Sequence, residues 1–150
     1  MRALIQKVSR ASIIINRETT KKIGMGLVVL LGIEESDTRS DIEWLSRKIS
    51  RLRIFDDAEG VMNLSINNVS GDIMVISQFT LHASTKKGNR PSYIKAASPE
   101  TAIPLYEAFI EHMQTDIEKK VLTGKFGAFM QVSLTNEGPV TIFIDTKNRE

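Results

Sequence analysis

The 150-residue chain has no cysteine, so disulfides and thiolate metal sites are excluded. Its only histidines are His82 and His112, which leaves carboxylates to complete any metal site. No metal ion and no cofactor are expected. No apolar run approaches the ~20 residues that a membrane span needs. The longest, Leu27 to Leu31, is strand-sized. The opening Met1-Arg2-Ala3-Leu4-Ile5-Gln6-Lys7 lacks a signal-peptide core, because Lys7 and Arg10 interrupt its apolar residues. A cytoplasmic protein without a membrane partner is therefore expected. No GxGxxG or Walker-type loop is present. A large excess of one charge is lacking too: 20 Lys and Arg against 18 Asp and Glu give a net +2. Any nucleic-acid contact must then come from a local patch.

With 41% hydrophobic and 25% charged residues, the chain has the composition of an ordinary globular protein. Its length fits a single domain over residues 1–150 with a proper core. Alternation places Ala3, Ile5 and Lys7 on one face of a first strand. β-Branched Ala11 to Ile15 reads as a second strand, and Asn16 to Thr20 as a turn. Leu27 to Ile33 is a continuous apolar run, the pattern of a central strand. Ile42, Leu45, Ile49 and Leu52 form one stripe of a helix that Asp37 or Ser40 would cap. Arg47, Lys48, Arg51 and Arg53 gather toward that helix's C-terminal end. They are read either as a solvated, dipole-favoured terminus or as part of a basic RNA-facing surface.

Further along, Arg53-Ile54-Phe55 reads as a short strand, Asp56 to Gly60 as a hairpin loop, and Met62 to Ile66 as a weakly alternating segment. Ile73 to Ile76 is a strand buried on both faces. Ser98-Pro99-Glu100 is a helix start, followed by an apolar face from Ala102 to Met113. Pro104 would cost a hydrogen bond inside that helix, which moves the expected start toward Thr101 or Ala102. Val121 to Gly127 carries a strand and a bend. Residues 128–135 alternate with period two, and Val140 to Ile144 closes the chain as a last strand. Asn136-Glu137-Gly138-Pro139 between them reads as a hairpin turn, and Asp145 to Glu150 as a fraying tail. Strands and helices do not alternate regularly, so the expected class is α+β with a mostly antiparallel or mixed sheet.

Chemistry is expected where the buried strand ends in Ser77-Gln78-Phe79-Thr80, beside the basic loop Lys86-Lys87-Gly88-Asn89-Arg90-Pro91. Ser77 or Thr80 as nucleophile would need a base within hydrogen-bond reach. His82 lies two residues past Thr80, on the same face if the strand continues, but roughly 6.5–7 Å of strand separates them. His112 reads as a solvated helix residue. Asp56, Asp57 and Glu59 crowd together in a turn. Backbone chemistry remains: a strand end can aim N–H groups at a developing oxyanion. At Gly138-Pro139 a glycine permits close approach and an X–Pro bond has access to cis.

At these residues the chain closely resembles the D-aminoacyl-tRNA deacylase family, from Met1 to about Asp145. Arg2 to Ser12, Gly26 to Gly32, Arg53-Ile54-Phe55 and Met62 to Ser65 carry the likeness. So do Ser77-Gln78-Phe79-Thr80, Lys87 to Ser92, Gly124 to Gly127 and Asn136-Glu137-Gly138-Pro139-Val140-Thr141. The resemblance implies a compact, β-rich, barrel-like fold with two main helices. It implies a homodimer with active sites at the interface, acting on the 3′-terminal adenosine end of aminoacyl-tRNA. The implied reaction is hydrolysis of the ester of D-aminoacyl-tRNA, and of mischarged glycyl-tRNA. Ser77, Gln78, Phe79 and Thr80 would form the catalytic pocket, with Phe79 and Thr80 N–H groups on the carbonyl oxygen. Gly138 and Pro139, in cis, would reach into the partner subunit's pocket and exclude L side chains, while Met130 lines the wall. Assistance by the tRNA's own 2′-hydroxyl is favoured over Thr80 as nucleophile. The family pattern usually has arginine where this chain has Lys7, which would orient the Gly-Pro carbonyls. Lys86, Lys87 and Arg90 are the expected RNA contacts. Two further readings stand beside this one: a non-catalytic RNA-binding module, and a small-molecule esterase using Thr80 with His82.

Overall fold

The strand β1 (Arg2–Ile15) is the axis of the sheet in the computed structural model, which describes residues 1–149. Its whole length pairs antiparallel with β8 (Met130–Asp145). Its other edge pairs first with β3 (Gly26–Gly32) and then with β2 (Thr19–Ile23), both antiparallel. β3 continues the sheet in parallel with β6 (Asp72–Ser77), and β6 in parallel with β7 (Val121–Thr123). The six strands curl into a nearly closed, barrel-like mixed sheet, and β4 (Phe55–Asp56) and β5 (Met62–Leu64) form a separate hairpin. With helices α1 (Arg39–Ser50) and α2 (Pro99–Asp116), this is the α+β class that the irregular order of elements implied.

The two strands expected before residue 16 are one. Polar Ser9 and Arg10 interrupt the apolar pattern without interrupting the ladder, because β2 and β3 follow each other along the same edge. The alternation changes phase there instead. Ala3 and Ile5 belong to the cluster under the helices, whereas Val8, Ala11, Ile13 and Ile15 belong to a second cluster with Val28, Met74 and Ile76. The register against β8 shifts at the same point, as a bulge does.

Asn136 to Pro139 is not a hairpin turn. Gln6 pairs with Thr141 and Val8 with Asn136, so five steps of β8 (136 to 141) face two of β1. The chain keeps its direction and throws residues 137–140 out as a bulge opposite Lys7. The cap of α1 is also corrected: Thr38 precedes the helix, and its N–H and hydroxyl both donate to Asp41 Oδ2, at 2.9 and 3.0 Å. Asp37 instead binds the Met1 ammonium and accepts the Glu34 N–H at 2.9 Å. α2 starts at Pro99 after Ser98, and Pro104 stays inside it. Asp56 belongs to β4 rather than to the turn. Nor does the tail fray at Asp145: Thr146 is buried, and Lys147 bonds Asp41 at 3.0 Å. Glu150 lies outside the described residues.

Candidate active site

β6 is buried between β3 and β7, which fixes where its last residue points. Leu31 pairs with Ser77, and Gln78 N donates to Leu31 O at 2.7 Å. The strand does not continue. Phe79–His82 is a 3₁₀ turn, packed so closely on β3 that a Cβ at Gly32 would stand 3.0 Å from His82 Cδ2 and from Leu81 Cβ. Arg2 holds it from below, with Nη1 donating to Leu81 O at 3.0 Å and Nε to Asp145 at 2.8 Å. The turn's own hydrogen bonds begin with Leu81 N to Gln78 O, at 3.2 Å. The amides of Phe79 and Thr80 precede them, the usual position of unpaired donors in a helical turn.

Ser77, Gln78 and Phe79 line a cavity of about 350 Å³ with Phe126, Phe129 and Met130 across from them. It is mostly apolar with a few polar groups at one end, the common make-up of a small-molecule site. Met130 reaches it over Gly124, where a Cβ would stand 2.6 Å from its Sδ. Phe79 is 56% exposed and meets Tyr93 edge-on at 5.0 Å. Tyr93 was missed in the sequence because it lies beyond the basic loop. Ser84 and Ser92 close that loop with a pair of backbone hydrogen bonds, and Lys86, Lys87 and Arg90 in it are exposed.

Thr80 has a different partner from the one a Thr–His pair needs. Gln78 Nε2 donates to Thr80 Oγ1 at 2.5 Å. His82 is buried, and neither ring nitrogen has a hydrogen-bond partner among the described residues. Burial pushes its pKa down, helped by the Arg2 charge, while the nearby Gly32 backbone carbonyl, outside good hydrogen-bond geometry, and Glu34 at 3.9 Å pull the other way. His112 sits on α2 beside Asp116, 3.8 Å away, and away from the cavity. No Thr80–His82 esterase arrangement is assembled. Among the described residues, no three His, Cys, Asp or Glu side chains gather as metal ligands, and no helix is long and apolar enough to cross a membrane.

Gly138 and Pro139 are exposed and joined by a cis peptide bond, with Gly138 at φ 127°. Asn136 clasps the base of their bulge: Val140 N donates to its Oδ1 at 2.9 Å, and its Nδ2 donates to Gln6 Oε1 at 2.9 Å. Lys7, facing the bulge in the register, is buried. Its Nζ bonds Asp56 Oδ2 at 3.1 Å and lies 5.7 Å from the centre of the Phe55 ring. Asp56, read from the sequence as a turn residue, is therefore a cross-chain partner that local pattern does not reveal. Val132 lines the cavity, and Gly138 comes six positions later on β8, at most roughly 20 Å of strand; neither Gly138 nor Pro139 lines the cavity. One protomer thus brings Ser77, Gln78, Phe79 and Met130 to one cavity, with Thr80, Gly138 and Pro139 outside its lining.

The chain thus sets a strand-end 3₁₀ turn beside a mostly apolar cavity on a nearly closed mixed sheet. The model of the D-Tyr-tRNA(Tyr) deacylase family matches residues 4–145, and the chain belongs to that family. It is 59% identical to the D-aminoacyl-tRNA deacylase of Flavobacterium psychrophilum over the full length of both chains. A solved structure of a c-Myc DNA unwinding element binding protein is 39% identical, with a TM-score of 0.91, covering 97% of this chain and 98% of that one. A probable eukaryotic D-amino acid tRNA deacylase shares the fold at 17% identity, with a TM-score of 0.81 over 95% of this chain and 97% of that one.

Proposed function

We propose that this single-domain protein hydrolyses the ester joining a D-amino acid, or glycine, to the terminal ribose of tRNA. The observation that carries the reading is the 3₁₀ turn that ends β6, whose first residue Phe79 lines a mostly apolar cavity with Ser77 and Gln78. Water attacks the ester carbonyl carbon, and the Phe79 and Thr80 amides hold the oxygen on which charge develops. The C–O bond to the ribose then breaks, and the ribose oxygen leaves with a proton. Thr80 has no base beside it, so the neighbouring 2′-hydroxyl of the ribose assists the water, and the protein supplies position and oxyanion stabilisation. Ser77, Gln78 and Met130 shape the pocket. Phe79, with Tyr93 at its edge, receives the terminal adenosine, and Lys86, Lys87 and Arg90 meet the adjoining phosphates.

Chirality is selected by exclusion. Gly138-Pro139 is exposed and does not line its own cavity, which supports its serving a second copy's, with a homodimer that has sites at the interface as the working unit. An L side chain would strike this bulge, whereas a D side chain or the hydrogen of glycine fits. Lys7, held by Asp56, supports the strand opposite the bulge. The protein works in the cytoplasm, on newly charged tRNA.

Deacylation of matched D-Tyr-tRNA and L-Tyr-tRNA tests this, with the Gly138→Ala/Pro139→Ala variant alongside. The D ester is lost rapidly and the L ester spared, and the variant gains cleavage of the L ester or loses activity. Cleavage of neither ester by the parent would overturn the reading. It would favour nucleic-acid binding without hydrolysis, for which the relative named for DNA binding speaks. Equal cleavage of both would overturn the chiral role.

A further inference from the structure

Helix α1 is divided by charge. Its carboxylates lie toward the N-terminal end and are engaged: Asp41 by Lys147 at 3.0 Å, Glu43 by Arg39 at 3.1 Å. Its other end is basic, and that surface draws on two separate stretches of chain. Arg47 and Lys48 come from the last turn of α1, Arg51 and Arg53 from the segment after it, and Arg149 from the C-terminal tail. Lys48 and Arg149 stand over the half-exposed ring of Trp44, with Arg149 Cζ 4.2 Å and Lys48 Nζ 5.5 Å from its centre, while the Arg53 guanidinium donates to Asn63. Trp44, Leu52 and the four α1-side cations line a shallow cavity of about 350 Å³ that contains no carboxylate. Arg47, Lys48 and Arg51 form no ion pair among the described residues. The helix dipole favours cations in the last turn, which accounts for Arg47 and Lys48. It does not account for Arg51 and Arg53 extending the same cation-lined surface beyond the helix, or for Arg149 standing over its tryptophan.

We propose that this surface binds the phosphodiester backbone of the tRNA acceptor stem, a docking site separate from the cavity that receives the aminoacyl end. The proposal rests on the reading of that cavity as an aminoacyl-tRNA site. Arg47 and Arg51 are i, i+4 neighbours, about 6 Å apart along the helix, a spacing comparable to that of successive phosphates on one strand. Arginine's fork suits phosphate oxygens, and the Trp44 ring holds Arg149 and Lys48 in place without neutralising them. α1 has 12 residues, so its basic end lies roughly 18 Å from the end nearest Ile33, which lines the cavity. The single-stranded 3′ end of a tRNA bridges a distance of that order before the acceptor duplex begins.

The test compares the parent with Arg47→Ala/Lys48→Ala/Arg51→Ala, and with the single Lys48→Glu as a milder variant, after thermal melting has established that each is folded. Fluorescence anisotropy with uncharged tRNA is read across a salt series. Affinity is expected to fall tenfold or more in the triple variant, and the slope of log affinity against log salt to flatten by about two to three. With D-Tyr-tRNA the loss falls on KM and leaves kcat near the parent value. D-tyrosyl-adenosine, which lacks the stem, is cleaved by parent and variants alike. Unchanged tRNA affinity and salt slope would overturn the proposal, as would equal competition by duplex DNA of the same length. Binding is read without turnover, so absence of esterase activity in the parent would remove the proposed function while this surface stayed decided by the anisotropy.

Discussion

Gln78 and Thr80 are joined side chain to side chain, the amide Nε2 of one donating to the hydroxyl of the other at 2.5 Å. The hydroxyl is thereby an acceptor with its own proton still in place, and the nearest imidazole is buried beneath the turn. Nothing at Thr80 prepares it to attack. Thr80→Val, which keeps the shape and removes the hydroxyl, is expected to retain deacylation of D-Tyr-tRNA within about tenfold in kcat. A loss on the order of 10⁴-fold, as when a true nucleophile is removed, would return Thr80 to that role. Single-turnover kinetics distinguish the two.

Gly26 stands where β3 crosses closest to β6. A Cβ there would lie 1.8 Å from Asp72 O, inside the parallel pair Gly26–Asp72. Backbone on both sides leaves no flexible group to yield. Gly26→Ala is expected to cost about 4 kcal/mol or more, among the largest effects of a point change. The urea midpoint of the purified variant measures it, and a loss below about 1 kcal/mol would show that the two strands separate easily.

His82 gives stability a dependence on mildly acid pH. Its pKa is lowered in the folded state, chiefly by burial, and returns to about 6.5 on unfolding. The unfolded chain therefore binds the proton more readily. The contribution is complete above about pH 6.5 and is lost as pH falls below it toward the folded value, at up to about 1.4 kcal/mol per pH unit. The lowered carboxylates of Asp72 and Asp145 act only at lower pH, below about 4. Urea unfolding between pH 7.5 and 5 should show the decline in the parent and a flatter line in His82→Leu. Parallel lines would remove His82 as the cause.

Much of this architecture was legible because it is local. The run Ile73 to Ile76 is apolar enough to mark a strand covered on both faces, and the polar residues that follow mark its end. Ser98-Pro99-Glu100 marks the start of α2, although Pro104 argues for a start nearer Thr101 or Ala102 and instead sits inside the helix. What eluded local pattern depends on partners distant in sequence. Asn136-Glu137-Gly138-Pro139 has the composition of a turn, and only continuous pairing to β1 on both sides makes it a bulge. Ser9 and Arg10 look like a break, and two strands arriving in succession on the other edge close it. Thr38 beats Asp37 as the cap because Asp41 answers it and the Met1 ammonium occupies Asp37. Lys7 and Asp56, 49 positions apart, meet only through the fold.

The phase change in β1 has a consequence for how this sequence can drift. Because the irregularity at Ser9 and Arg10 turns the odd-numbered side chains from one cluster to the other, Ala11, Ile13 and Ile15 reach their cluster only at the present residue count. A single deletion or insertion there would turn three apolar side chains to water and leave their places to Ser12 and Ile14. Substitutions along the strand each perturb one site, whereas a change of length rewrites half of it at once. The strand's length is thus inherited as a fixed measure, even where its letters are free to vary.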